Sequence, residues 1–291
     1  MNTKPKLKIC FCDFWPGFPE KDNMWDTFLL KHYDVEHTAK DPDVVVFGPF
    51  GINHFKFSKK KCLKLFASPE NFMEHRYDAF RKELGWAPVK EHSHFSITSF
   101  DDGSKENLRV PCFVNRLGFD QLEDVDKRSS FKKTKGIVYM AKNCVPFRDQ
   151  VVQQLQRFVH IDCAGKCLKN MEVDVPPGPQ HKLEFIKDYK FVIGIENSMT
   201  PGYVTEKLVE PWLVDAIPIY IGDPEVAKDF DESTFINATH FGTVEDIFEK
   251  IKEIHHDDAL YESMITRRKV INKALFNEDR LLKFFKGVVG K

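Results

Sequence analysis

Two short apolar runs, at residues 191–195 and 217–221, bracket a segment with helical patterning and constrain the fold of this chain more than any other feature. Neither run alternates apolar with charged residues, which is typical of strands buried on both faces of a parallel sheet. A strand, a crossover helix and a second strand make a βαβ unit. Similar apolar runs occur at residues 43–48 and 136–141. This alternation predicts an α/β fold with mainly parallel sheets.

A polar, charge-rich stretch at residues 120–135 divides the chain. Strand and helix patterns lie on both sides of it, so we predict two domains, at residues 1–130 and 131–291. The C-terminal helices are counted with the second domain. The expected architecture is two Rossmann-like domains that face each other across a central cleft. Ligands of such sheets bind beyond the carboxyl ends of the strands, so the loops after those ends are expected to border the cleft.

The charge and hydropathy of the chain exclude two classes of function. The formal net charge of -1 gives no overall basic field, so nucleic acid is not an expected partner. No apolar run approaches the roughly 20 residues needed to span a bilayer, and the basic N-terminus lacks the apolar core of a signal peptide. We expect a cytoplasmic protein, or a catalytic part whose membrane anchor lies elsewhere.

The seven cysteines are odd in number and scattered, which does not suggest a disulfide framework. Cys163 and Cys167 are separated by three residues, but no nearby histidine or cysteine pair completes a zinc site. We therefore expect free, structural thiols in a reducing compartment.

The polar loop at residues 196–202 leads from the first apolar run into a helix predicted over 203–214. A helix N-terminus presents free N–H groups and a partial positive charge, which suits a phosphate. Tyr203 and Lys207 are four residues apart and would share a helix face. A lysine in the first turn opposes the helix dipole, so Lys207 favours an anionic ligand, and Glu206 could accept hydrogen bonds from a ribose diol. The alternative is an ordinary amphipathic helix with Glu206 and Lys207 as solvated charges.

The same segment closely resembles the signature of the α1,3/α1,4-fucosyltransferases. The resemblance rests on Glu-Asn-Ser at residues 196–198, Tyr-Val-Thr-Glu-Lys at 203–207 and Ile-Pro-Ile-Tyr at 217–220, followed by Gly222. Residues 224–230 are similar to those of bacterial members. The resemblance implies a GT-B fold with GDP-fucose bound by the C-terminal domain. It assigns donor binding to Asn197, Tyr203, Glu206 and Lys207.

Pro211 departs from the family pattern because it falls inside the predicted helix. A proline in a helix interior costs about 3 kcal/mol unless the helix kinks. We expect a kink or a helix of only two turns.

The resemblance also implies roles for Arg148 and Glu70. Arg148 resembles the arginine that binds the donor pyrophosphate, which a guanidinium can grip bidentately. The alternative is a solvated arginine at a helix end. Glu70 and Asn71 resemble a Glu-Asn pair whose glutamate is the proposed general base, the group that takes the proton from the acceptor hydroxyl. Glu74 is a nearby rival for that role.

Together these features point to an inverting fucosyltransferase. It would transfer L-fucose from GDP-fucose to a 3- or 4-hydroxyl of a glycan acceptor that contains N-acetylglucosamine or galactose. Two alternatives stay open: a different GDP-sugar glycosyltransferase, or a catalytically silent nucleotide- or glycan-binding protein on the same scaffold. No Asp-x-Asp pair directly follows a predicted strand, so no essential metal is expected, and no cofactor besides the donor substrate. The Gly-x-Gly-x-x-Gly of a Rossmann dehydrogenase follows none of the predicted strands.

Overall fold

The computed structural model describes residues 4–57, 62–67, 96–99, 108–110, 113–114, 118, 124–127 and 132–290. The chain divides into two compact units. The first comprises Met1–Gly118 together with Ala274–Lys291, and the second comprises Phe119–Lys273. Each unit is an α/β structure built on its own sheet.

The described part of the first unit contains six strands and two α-helices, with a 3-10 segment between β3 and β4. In chain order these are β1 (Lys6–Cys12), α1 (Met24–His32), β2 (Asp34–His37), β3 (Val44–Phe47), the 3-10 segment Asn53–Phe57, β4 (Leu63–Phe66), β5 (Ser96–Ser99), β6 (Leu108–Arg109) and, near the C-terminus, the helix Glu278–Val289. The strand order is β2-β1-β3-β4-β5-β6. The first four strands of this order run parallel, and β5 and β6 are antiparallel to their neighbours.

At the carboxyl end of β1, Asp13 fixes the following loops. Its backbone has a φ of 59°, and its buried carboxylate accepts hydrogen bonds from the backbone N–H groups of Asn53 and His54, both at 2.8 Å. Burial raises the pKa of Asp13, but the hydrogen bonds from Asn53 and His54 outweigh it, so the pKa lies below its ordinary value. The loops after β1 and β3 are thereby tied together.

The described part of the second unit has five strands and five α-helices. They are β7 (Lys135–Ala141), α2 (Pro146–Leu155), β8 (Ile161–Gly165), α3 (Pro179–Ile186), β9 (Tyr189–Ile195), α4 (Glu206–Trp212), β10 (Ile217–Ile221), β11 (Ile236–Asn237), α5 (Val244–His256) and α6 (Asp258–Thr266). The helix Glu278–Val289 of the first unit is α7. All five strands are parallel, in the order β11-β10-β9-β7-β8.

The central strands of the second sheet are almost wholly buried, as their apolar runs predict. Every residue of β10 is buried, and β9 carries one half-buried position, Lys190. The register sets Ile219 beside Ile193, and Ile137 beside Phe191. Since the described chain passes from β7 to β8 on one side and later to β9 on the other, the strand order reverses at β7. The carboxyl ends of β7 and β9 therefore flank the crevice where such sheets bind ligands.

The structure confirms the α/β fold with parallel sheets. It places the last helix differently from the predicted division, because α7 belongs to the first unit. The ring of Phe285, fully buried, lies 6.2 Å from that of Phe28 and 5.8 Å from that of Tyr33, between centroids. Glu278 also pairs with Lys31 at 2.9 Å. Packing on α1 thus holds α7 in the first unit.

The expectation that all the cysteines are free is wrong for one pair. Cys144 and Cys167 form a disulfide with a Cα–Cα distance of 5.3 Å. Cys144 follows β7 and Cys167 follows β8, and these neighbouring parallel strands bring their carboxyl ends together. Of the other cysteines that the structure describes, Cys10, Cys12, Cys62 and Cys163 do not take part in a disulfide.

Among the described helices, none combines the length and the apolar character needed to cross a membrane.

Candidate donor site

Arg148 lies where the second sheet reverses its strand order. It is the third residue of α2, whose first residue is Pro146, a residue suited to a helix start. Its side chain is buried, and Nη1 donates to the carbonyl of Ile195 at 3.3 Å, at the end of β9. Nη2 donates to the carbonyl of Asn143, in the loop after β7. The guanidinium therefore joins the carboxyl ends of β7 and β9.

Glu196 comes directly after β9, and its carboxylate is fully buried. Its Oε1 accepts hydrogen bonds from the backbone N–H and the hydroxyl of Thr205, both at 2.8 Å. Oε2 accepts from Lys207 Nζ at 3.1 Å. A buried charge is tolerated only when it is paired and hydrogen-bonded, and this carboxylate meets both conditions.

Lys207 is the second residue of α4, and 19% of its side chain is exposed. Its Nζ also donates to Thr205 Oγ1 at 2.9 Å and lies 3.4 Å from Glu206 Oε1. Burial lowers the pKa of Lys207, but the carboxylates of Glu196 and Glu206 outweigh burial and raise it above its ordinary value. The ammonium is therefore charged at neutral pH. Arg148 is near enough to lower that pKa in part, so the two cations share one electrostatic site.

The structure corrects the predicted start of this helix. It begins at Glu206, with Thr205 as its N-cap, so Tyr203 lies before the helix and does not share a face with Lys207. Tyr203 is buried, and its carbonyl accepts from the Tyr220 hydroxyl at 3.4 Å. The helix has seven residues and its cap is hydrogen-bonded to Glu196. The cations of the site, rather than the helix end, are therefore the groups that could hold an anion.

Pro211 lies inside α4, which ends at Trp212 after about two turns, as one of the two expectations had it. Proline has no N–H, so the carbonyl of Lys207, four residues earlier, loses its helical donor. That carbonyl packs against Gly194 of β9, where an added β-carbon would collide with it. Gly194 thus lets the helix that carries Lys207 lie close on the strand.

The remaining predicted residues are distributed as follows. Glu206 is half-buried next to Lys207, and Asn197 is exposed in the loop after β9. Glu70 and its rival Glu74 lie outside the described residues. The structure thus brings together Arg148, Glu206 and Lys207, and it buries Tyr203.

Sequence reasoning missed the part that Glu196 and Tyr220 play in the site. The Tyr220 hydroxyl lies 3.5 Å from Glu196 Oε1 and accepts from the backbone N–H of Asp223 at 3.2 Å. Burial is the main cause that raises the pKa of Tyr220, and the Glu196 carboxylate adds to it. The sequence signal that could have identified Glu196 is its position directly after a wholly apolar strand.

Among the described residues, one group of three could offer ligand atoms to a metal ion: Cys144, Asp149 and Cys167, with those atoms within 4.8 Å of one another. The two sulfur atoms are joined in the disulfide, and a metal binds thiolates. This group therefore fits a covalent cross-link better than a metal centre.

Two family descriptions cover most of the chain. Residues 130–284 match the family described as Glycosyltransferase family 10 (fucosyltransferase) C-term. Residues 9–128 match the Alpha-(1,3)-fucosyltransferase FucT N-terminal domain.

Individual relatives agree with these matches. The Alpha-(1,3)-fucosyltransferase FucT of Helicobacter pylori is 35% identical, over 99% of this chain and 67% of its own length. A candidate fucosyltransferase of Acanthamoeba polyphaga mimivirus is 33% identical, over 71% of this chain and 36% of its own length. The chain thus spans about a third of one relative and two thirds of the other.

A solved structure of an alpha1,3-fucosyltransferase with GDP has a TM-score of 0.74 to this chain at 22% identity. The match covers 100% of this chain and 92% of the solved one. At this identity the likeness concerns the fold, and it supports the expected GT-B type.

Proposed function

The chain belongs to glycosyltransferase family 10, the fucosyltransferases, and from this premise we propose that it transfers L-fucose from GDP-fucose to a hydroxyl of a glycan acceptor. The proposed reaction inverts the anomeric centre. The acceptor hydroxyl would be a 3- or 4-hydroxyl of an N-acetylglucosamine- or galactose-containing glycan.

The observation that carries the proposal is the meeting of Arg148 and Lys207 at the carboxyl edge of the second sheet. Arg148 is held at the end of β9 and Lys207 at the start of α4, and the charge of Arg148 lowers the pKa of Lys207 in part. The Lys207 ammonium stays partly exposed beside Glu196 and Glu206, and Arg148 donates to backbone carbonyls that carry no net charge, so both side chains could bind an anion. A nucleoside diphosphate is such an anion, and a solved alpha1,3-fucosyltransferase structure with this fold is described with GDP.

Glu206 supports the nucleotide part of the proposal. Its carboxylate lies beside Lys207 and is about one-fifth exposed, so a ligand can reach it. Carboxylates at the strand ends of nucleotide-binding sheets accept hydrogen bonds from the ribose hydroxyls. We place the diphosphate on Arg148 and Lys207 and the ribose on Glu206. Asn197 and Tyr203 are included in the donor site by their match to the family signature.

The proposed chemistry needs a base and a stabilised leaving group. Glu70, which lies outside the described residues, is proposed to take the proton from the acceptor hydroxyl as that oxygen attacks the anomeric carbon of fucose. The bond from that carbon to the diphosphate breaks, and negative charge develops on GDP. Arg148 and Lys207 would stabilise this charge electrostatically, so we propose that no metal is required.

A transfer assay tests the proposal. The chain is incubated with GDP-fucose, GDP-mannose or UDP-galactose and a glycan array, and the product linkage is determined. Transfer from GDP-fucose alone, to a 3- or 4-hydroxyl, supports the proposal. Transfer from GDP-mannose alone assigns the chain to another GDP-sugar reaction. Saturable GDP binding without transfer to any glycan indicates a silent binding protein.

A further inference from the structure

Glu196 is the most completely buried carboxylate of the candidate donor site, with a side-chain exposure of 0%. It stands at the carboxyl end of β9, one residue after the carbonyl that accepts from Arg148. Burying a carboxylate is costly, so its position needs compensating interactions. Those interactions lead to Lys207.

The groups around Glu196 arrange the Lys207 ammonium. Thr205 donates its N–H and its hydroxyl to Glu196 and at the same time accepts from Lys207 Nζ at 2.9 Å. Glu196 Oε2 lies 3.1 Å from that Nζ, and Glu206 lies on its other side at 3.4 Å. The ammonium is therefore held by three neighbours, while about one-fifth of the side chain stays exposed.

We propose that Glu196 is a positioning residue that holds the Lys207 ammonium toward the diphosphate of the donor. The inference rests on the proposed function, since it takes the Lys207 ammonium to be a diphosphate ligand. Glu196 itself does not touch the donor, and it acts through Lys207. Its own hydrogen bonds with Thr205 hold its carboxylate in place.

The electrostatic balance at Lys207 explains why a neutral residue would not replace Glu196. Burial and Arg148 both lower the pKa of Lys207, and Glu196 and Glu206 both raise it. When the carboxylate of Glu196 is removed, only that of Glu206 still opposes the lowering of the Lys207 pKa by burial and by Arg148. The Lys207 ammonium then loses its proton at a lower pH than in the wild type, and above that pH the diphosphate has one cation fewer beside it.

The experiment measures GDP binding by calorimetry from pH 6.5 to about 10.5, the ordinary lysine pKa, in the wild type, Glu196→Gln and Glu196→Asp. Glu196→Gln keeps the size of the side chain and removes its charge. We expect it to bind GDP about 10- to 100-fold more weakly, since Lys207 is then no longer held for its charge-assisted contact with the diphosphate. We also expect its affinity to fall further as the pH rises, while the wild type and Glu196→Asp keep flat profiles.

A second variant separates positioning from a merely structural effect. In Glu196→Gln/Lys207→Arg the cation does not lose its proton in this pH range, so the added pH dependence should disappear. Should Glu196→Gln fail to fold, an NMR titration of Lys207 in the wild type decides. A pKa above the ordinary lysine value supports the inference, and a pKa below it overturns the inference. A Glu196→Gln profile parallel to that of the wild type also overturns it.

The outcome is distinguishable from failure of the proposed function. A wild type that binds GDP but transfers no fucose refutes the function and leaves the role of Glu196 standing. Normal fucose transfer and GDP binding by Glu196→Gln refute the role and leave the function standing. A wild type that does not bind GDP overturns both.

Discussion

The backbone carbonyl of Lys207 lies against Gly194, where a β-carbon would stand well inside van der Waals contact with its oxygen. Because the Lys207 oxygen is a backbone atom, rotation of a side chain cannot relieve this clash. The position of Lys207 relative to β9 therefore depends on a residue without a side chain.

We expect Gly194→Ala to push α4 away from β9 and to weaken GDP binding. Overpacking of this kind costs about 1–3 kcal/mol of folding free energy. Thermal unfolding and GDP calorimetry measure the two effects. Gly136→Ala is the matched control, since Gly136 also lies in a strand of the second sheet and a β-carbon there meets open space. Equal behaviour of the two variants would show that the close approach does not matter.

Arg148→Ala should weaken GDP binding by about 10- to 100-fold, the effect of losing a charge-assisted hydrogen bond. Arg148→Lys should restore only part of the affinity, because an ammonium cannot replace a bidentate guanidinium. Arg157→Ala, at an exposed arginine just after the same helix, is the control. Unchanged GDP affinity in a folded Arg148→Ala protein would remove Arg148 from the donor site.

Glu70→Gln should lower kcat for fucose transfer by about 100- to 10,000-fold and leave GDP affinity intact, because a general base acts on the acceptor rather than on the nucleotide. The measurement is steady-state transfer beside GDP calorimetry. Glu74→Gln is the comparison, and it should retain activity. A large loss of kcat in Glu74→Gln alone would transfer the role to Glu74.

Reduction of the Cys144–Cys167 disulfide should destabilise the second unit. A cross-link between residues 23 positions apart contributes about 3 kcal/mol by restricting the unfolded chain. We expect dithiothreitol to lower the melting temperature of the wild type. The variant Cys144→Ser/Cys167→Ser should melt lower and be insensitive to the reductant. If dithiothreitol lowers the melting temperature of that variant as much as that of the wild type, the destabilisation does not come from reduction of this disulfide.

Fucose transfer should survive EDTA, because Arg148 and Lys207 offer positive charge to the diphosphate in place of a metal ion. The assay compares initial rates with and without EDTA, and then with added manganese. Loss of transfer in EDTA and its recovery with manganese would contradict this expectation.

Sequence patterns predicted best the strands and helices whose structure follows from their own residues rather than from distant contacts. The apolar runs around residues 191–195 and 217–221 became β9 and β10 because their residues are buried on both faces. β2, with its alternating half-buried and exposed residues, and the two-residue β11 carry too little apolar pattern to be recognised.

The errors arose where distant residues decide the local structure. Residues 203–205 look helical, but Glu196 binds the N–H of Thr205, so the helix starts only at Glu206. The disulfide depends on two strand ends meeting, which the spacing of its cysteines does not reveal. Lys207 could be identified from its position, whereas the ion pair that holds it is a tertiary contact.

The packing of α7 on α1 also has a consequence for biosynthesis. The second unit, Phe119–Lys273, is one continuous stretch, so all of its residues are synthesised before those of α7. The first unit is complete only after α7 has been synthesised, because Phe285 fills the pocket around Phe28 and Tyr33. The half of the protein made first is therefore finished last, and until then its apolar surface is a target for chaperones.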